Sequence, residues 1–112
     1  MFYVEKTLEI SAAHKLELDY ISKCRNLHGH NWLVRIYCRA EELDKNGMVY
    51  DFTHLKHKVL DQLDHECLND VLGVNPTAEN IAKWIAEQIG EKCWRVKVQE
   101  SIGNVAIYEV EE

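Results

Sequence analysis

Apolar and polar side chains alternate from the start of this chain: Phe2, Val4, Leu8, Ile10 and Ala12 share one parity, and Tyr3, Glu5, Thr7, Glu9 and Ser11 share the other. A period of two belongs to a strand with one buried face, so a long strand is predicted over residues 2–16, with Lys6 as its misfit. The same parity carries His14 onto the apolar face. Residues 17–27 lose periodicity and read as a loop holding Cys24. Alternation resumes over 28–40, where His28, His30, Trp32, Val34, Ile36 and Cys38 oppose Asn31, Arg35 and Arg39, giving a second strand antiparallel to the first.

Lys45-Asn46-Gly47 is a turn signal, after which Leu55, Val59, Leu60 and Leu63 fall at helical spacing and predict a helix over 53–63. Asn75-Pro76-Thr77-Ala78-Glu79 reads as a helix start, with Pro in the first helical position and an acid in the first turn. Ile81, Trp84, Ile85 and Ile89 form that helix's apolar stripe, and Gly90 ends it. Two strands, 94–101 with Trp94, Val96 and Val98 inward and then 105–110, close the chain around Ile102-Gly103-Asn104. The order ββααββ predicts one α+β domain over residues 1–112, a four-stranded antiparallel sheet with two helices on one face. The other face would carry Tyr3, Glu5, Thr7, Glu9, Arg35, Arg39, Arg95 and Lys97, too polar for a dry core, so it lines a wet interior or faces solvent. Four strands leave two open edges, which invite assembly with other subunits.

Composition narrows the class without changing this picture. A chain of 112 residues can bury roughly 60–70% of its unfolded surface in one core. No segment approaches the ~20 apolar residues of a membrane span, and the start lacks a basic leader followed by an apolar run. Cys24, Cys38, Cys67 and Cys93 form no Cys-x-x-Cys pair, so reduced thiols and a cytoplasmic location are expected. A net charge of −6 argues against nucleic acid as a direct partner.

The chemistry gathers on the apolar parity. His28 and His30, about 6.6 Å apart along one strand, point the same way, and His14 joins them from the neighbouring strand. Three histidines with a fourth position open are the ligand set of a catalytic zinc. Cys24 lies between Lys23 and Arg25 beside that site, a setting that favours a reactive thiolate; Cys38, Cys67 and Cys93 are expected to be structural. Asp64-His65 at the end of the first helix pairs a carboxylate with an imidazole, as a proton relay requires. Glu100 continues the inward parity of Val96 and Val98, so its carboxylate needs a partner; the adjacent N–H donors of an amino-pyrimidinone edge, as in a pterin or guanine, would supply a bidentate one. His54 and His57 lack a third ligand and are expected to be exposed.

Ser11-Ala12-Ala13-His14, Cys24-x-x-x-His28-Gly29-His30-Asn31-Trp32, Asp51-Phe52, Leu63-Asp64-His65, Asn75-Pro76-Thr77-Ala78-Glu79-Asn80 and Glu100-Ser101 together resemble the 6-pyruvoyltetrahydropterin synthase family across essentially the whole chain. The resemblance implies the tunnelling fold, in which three subunits close a twelve-stranded barrel and two trimers stack into a homohexamer with sites at subunit interfaces. It implies zinc on His14, His28 and His30, Cys24, Asp64, His65 and Glu100 as catalytic residues, and substrate binding by Glu100 with Thr77 and Glu79. Three residues between Cys24 and His28 resemble the 6-carboxy-5,6,7,8-tetrahydropterin synthases of the queuosine pathway, whereas the animal enzymes that form the pyruvoyl product typically have five. The implied substrate is a pterin triphosphate, 7,8-dihydroneopterin triphosphate. True 6-pyruvoyltetrahydropterin synthase activity is the neighbouring alternative, and a non-catalytic zinc- or pterin-binding oligomer a more distant one. Ser101 departs from the family's usual Thr but keeps the hydroxyl.

Overall fold

The computed structural model describes residues 1–111. Strands β1 (Phe2–His14) and β2 (His28–Ala40) pair antiparallel along their full length, from Phe2 opposite Ala40 to His14 opposite His28. Strands β3 (Cys93–Ser101) and β4 (Asn104–Glu109) extend the sheet in the order β1-β2-β3-β4. Helices α1 (Phe52–Leu63) and α3 (Ala78–Ile89) bury Leu55, Val59, Leu63, Ile81, Ile85 and Ile89 in one cluster with Leu8, Ile10, Val34, Ile36, Val96 and Val98 of the sheet. The apolar parity is thus the core face, and both hairpins have the expected topology. Among the described residues no helix is long and apolar enough to cross a membrane.

Local backbone chemistry alters several expected details. Pro76 lies outside α3: Thr77 is the N-cap, its side chain accepting the Asn80 N–H, and Pro76 precedes it. A hydroxyl cap satisfies an otherwise orphaned N–H and wins over the Pro position. Residues 68–72 form a short helix, α2 (Leu68–Leu72), and 23–25 a single 3₁₀ turn that carries Cys24. Trp94 is not inward. The register between β2 and β3 slips between Tyr37 and Cys38, so Cys93 takes the buried position opposite Cys38. The Trp94 ring instead packs on the other face, edge-on to Tyr3 at 6.1 Å and with the Arg39 guanidinium 5.2 Å from its centroid. A bulge adds one residue to a strand and shifts parity beyond it.

The outer edge of β1 is finished in two ways. From Ser11 onward it meets the chain that follows α1: Ser11 N–H donates to Asp64 Oδ1 at 2.9 Å, His65 N–H to Ser11 C=O at 2.7 Å, and Ala13 N–H to Glu66 C=O at 3.0 Å. Before Ser11, the outward backbone groups of Tyr3, Glu5, Thr7 and Glu9 have no partner among the described residues.

Candidate active site

Three imidazoles meet at one end of the core face. His14 and His28 are direct cross-strand partners, His30 is two residues along β2, and one ring nitrogen of each lies within 4.8 Å of the others. Trp32 backs the cluster, with its ring centroid 4.8 Å from that of His14 and 5.1 Å from that of His30. Its indole N–H is satisfied by Ala12 C=O at 3.1 Å, so the ring is fixed in the buried layer.

Backbone carbonyls set the tautomers. His14 Nδ1 lies 2.8 Å from Pro76 C=O and His28 Nδ1 lies 2.7 Å from Asn26 C=O. A carbonyl only accepts, so both Nδ1 atoms carry a proton, and in the neutral ring the lone pair then sits on Nε2. His14 is fully buried, yet its Nε2 has no hydrogen-bond partner, and the buried Nε2 of His30 has none either. Buried ring nitrogens without partners are costly, and a cation at the point where they converge would satisfy them. Three imidazoles, two of them oriented by outer carbonyls, form a donor set that fits a zinc ion.

Burial, first of all, holds His14 below its ordinary pKa of 6.5; nearby His28 and His30 add to this, against the Pro76 carbonyl and Glu100. The unfolded chain therefore takes up this proton near 6.5 and the folded chain only at lower pH, so the group's contribution is present above 6.5 and lost as pH falls toward the folded value. Metal-free protein is expected to melt at a lower temperature at about pH 5.5 than at about pH 7.5, and His14→Gln should narrow that difference. Calorimetry at the two pH values checks this.

Glu100 sits at a second register slip, between Gln99 and Ser101 in the β3–β4 pairing, and keeps the inward parity of Val96 and Val98, with its side chain next to the histidines. One carboxylate oxygen lies 3.5 Å from His30 Nε2 and the other 4.0 Å from His14 Nε2. Neither distance makes a strong hydrogen bond, so the carboxylate retains acceptor capacity. Glu100 also lines a cleft of about 590 Å³ together with Thr77, Glu79, Tyr20 and Asn104. The sequence-predicted Glu100, Thr77 and Glu79 thus share one cavity.

Asp64 and His65 are not part of the group of three converging ring nitrogens. Asp64 Oδ2 is 3.6 Å from His65 Nε2, and His65 is 81% exposed with φ at 61°, a left-handed backbone uncommon for a residue other than Gly. The two Ser11 hydrogen bonds impose that conformation. His65 and His30 line one open cleft of about 510 Å³, together with Cys67. Cys24 is half-buried on its 3₁₀ turn, with its N–H capped by Ser22 Oγ at 3.1 Å and its C=O accepting the Leu16 N–H at 2.8 Å. Its thiol makes no hydrogen bond to the triad among the described residues. Cys38 is inert, its thiol pushed far up by a hydrogen bond with Cys93 and by burial. His54 and His57 are exposed, each near an acid of its own helix region, Asp51 and Asp61 respectively.

Sequence reasoning missed the carbonyls of Asn26 and Pro76, which no side-chain motif announces. It also missed Asn69, and it read Asn75 only as part of a helix start, whereas the amides of both bond to the backbone beyond β1.

A family model described as 6-pyruvoyl tetrahydropterin synthase matches residues 3–111. A 6-carboxy-5,6,7,8-tetrahydropterin synthase from Synechocystis sp. is 40% identical over 100 residues, covering 81% of this chain and 77% of that protein. A 6-pyruvoyl tetrahydrobiopterin synthase from Dictyostelium discoideum is 32% identical over 119 residues, covering 88% of each. The solved structure of Caenorhabditis elegans 6-pyruvoyl tetrahydropterin synthase matches with a TM-score of 0.79 at 28% identity, over 98% of this chain and 96% of that one. With a four-stranded antiparallel sheet in the tunnelling fold and a histidine triad able to hold a metal, the chain belongs to the 6-pyruvoyl tetrahydropterin synthase family.

Proposed function

We propose that this chain is a zinc-dependent 6-carboxy-5,6,7,8-tetrahydropterin synthase of the queuosine pathway. It would act as a carbon–carbon lyase, converting 7,8-dihydroneopterin triphosphate and one water to 6-carboxytetrahydropterin, acetaldehyde and triphosphate. The observation that carries the reading is the convergence of the His14, His28 and His30 ring nitrogens next to a Glu100-lined cleft. The relative from Synechocystis supports the carboxy-pterin product by its name and similarity.

Zinc on His14, His28 and His30 would supply Lewis acidity toward substrate oxygens. Cys24, as a thiolate, removes a proton from the substrate side chain. His65, oriented by Asp64, relays or returns protons. Glu100 accepts the paired N–H donors of the pterin edge, aided by Thr77 and Glu79. Lys15 and Arg25 line a further cleft of about 510 Å³ suited to part of a triphosphate, although Glu17 and Asp19 share it.

The exposure of His65 and the unpaired β1 edge support a homohexamer in which sheets join edge to edge and His65 serves a neighbouring subunit's site. The name of the Dictyostelium relative favours a second reading, 6-pyruvoyltetrahydropterin formation, in which triphosphate leaves without acetaldehyde.

Glu100→Gln tests the substrate class. Replacing one acceptor oxygen by a donor should weaken binding of neopterin, a non-reacting fluorescent pterin, by roughly tenfold or more, about 1.4 kcal/mol for each factor of ten. Unchanged neopterin binding would remove Glu100 as the anchor. Product analysis decides the reaction: acetaldehyde and carboxy-pterin support the lyase, whereas pyruvoyl-pterin without acetaldehyde supports the second reading.

A further inference from the structure

Beyond His14 the chain leaves the sheet but does not become free. Lys15 N–H donates to Asn69 Oδ1 at 2.9 Å, and Asn69 Nδ2 donates back to Lys15 C=O at 2.8 Å. Two residues on, Glu17 N–H donates to Asn75 Oδ1 at 2.9 Å, and Asn75 Nδ2 donates to Glu17 C=O at 3.0 Å. Each asparagine offers its primary amide as a peptide group would, one donor and one acceptor to the same residue, and residues two apart present their backbone to the same edge. Residues 15–17 are therefore held extended by two side chains acting as a surrogate neighbouring strand. This continues the pairing of Ser11 and Ala13 with the chain after α1.

The opposite side of this segment bonds to Cys24. Leu16 N–H points away from the asparagines and donates to Cys24 C=O at 2.8 Å. Asn75 is itself anchored to α3, since its carbonyl accepts from Asn80 Nδ2 at 2.9 Å. A continuous set of hydrogen bonds thus runs from the helix layer through Asn69 and Asn75 to the backbone that carries the Cys24 thiol.

We propose that Asn69 and Asn75 are positioning residues for Cys24, fixing its thiol relative to the histidine triad by clasping residues 15–17. The inference rests on the proposed catalytic role of Cys24. Small displacements of a reacting group cost large factors in rate when binding itself is untouched.

The test uses Asn69→Ala, Asn75→Ala and the double variant, with Asn69→Asp as the conservative replacement that keeps an acceptor for Lys15 N–H. Each single alanine variant should lower kcat about tenfold, and the pair about a hundredfold, with KM within about twofold and zinc per chain unchanged. Asn69→Asp should recover part of kcat. Deuterium exchange at the Leu16 amide should accelerate in the alanine variants, while amides of Val34 and Val98 in the central strands keep their protection. If an alanine variant does not fold, the same exchange and kcat measurements on Asn69→Asp and Asn75→Asp take its place.

Unchanged Leu16 exchange would overturn the clasp. Faster exchange with full kcat would overturn its role in positioning Cys24. Full turnover by Cys24→Ala would instead sink the catalytic reading beneath the inference, and the exchange result would still report on the clasp itself.

Discussion

His28→Ala is expected to yield a folded chain that retains little zinc and shows no measurable turnover. His28 is half-buried at the end of β2, so its loss does not open the core, in contrast to the fully buried His14. Its Nδ1–H is committed to Asn26 C=O, which leaves Nε2 as the atom able to ligate a metal. Removing an outer-shell partner of a metal ligand typically costs about 10–100-fold in affinity, and removing the ligand itself costs more. Zinc per chain by mass spectrometry and the rate with 7,8-dihydroneopterin triphosphate are the two readouts. A variant that keeps stoichiometric zinc and normal turnover would show that the triad is not the metal site. His28→Gln, which offers a weaker oxygen donor, should bind some zinc at high concentration and recover little activity.

Cys24→Ala separates chemistry from metal binding. The thiol makes no hydrogen bond to the histidine triad among the described residues, and the group able to hold a metal consists of three ring nitrogens. Zinc content and melting temperature should therefore stay close to those of the parent. Loss of a general base typically costs about 10²–10⁴-fold in rate, so kcat should fall by that order while pterin binding persists. Cys38→Ala is the contrasting change: its thiol is buried in the core and held protonated, so the variant should lose stability rather than kcat at permissive temperature. Rates for the two variants, measured at a temperature where both are folded, check this contrast. Full activity in Cys24→Ala would remove the thiol from the mechanism.

Strand parity revealed more of the site than motifs alone would. It placed His14, His28 and His30 on one face from two separate strands, and their one-to-one register made that inference sound, because β1 and β2 pair without a slip. Where a slip occurs, parity fails. Trp94 lies at the irregularity in the β2–β3 pairing and its ring went to the opposite face, since inserting one residue inverts every expectation drawn from a period of two. Glu100 also lies at a slip, yet its carboxylate still faces the triad.

Helix α3 illustrates a different limit. Pro76-Thr77 offered two plausible starts, and the competition between a proline preference and a hydroxyl cap is decided by which N–H needs a partner. The outer shell of the site was the least legible part. The carbonyls of Asn26 and Pro76 and the amides of Asn69 and Asn75 act through backbone geometry, and any residue type can present a carbonyl. Asp64-His65 was recognisable as a pair, but its outward display on β1's edge depends on hydrogen bonds to Ser11 across 53 residues of sequence.

The most direct measurement is a product time course with purified, zinc-loaded protein and 7,8-dihydroneopterin triphosphate, following acetaldehyde, triphosphate and the pterin together. The proposed reaction predicts that acetaldehyde and 6-carboxytetrahydropterin appear in equal amounts, and that production stops when zinc is removed and resumes when it is restored. Release of triphosphate with no acetaldehyde, or an undiminished rate in metal-free protein, would contradict it.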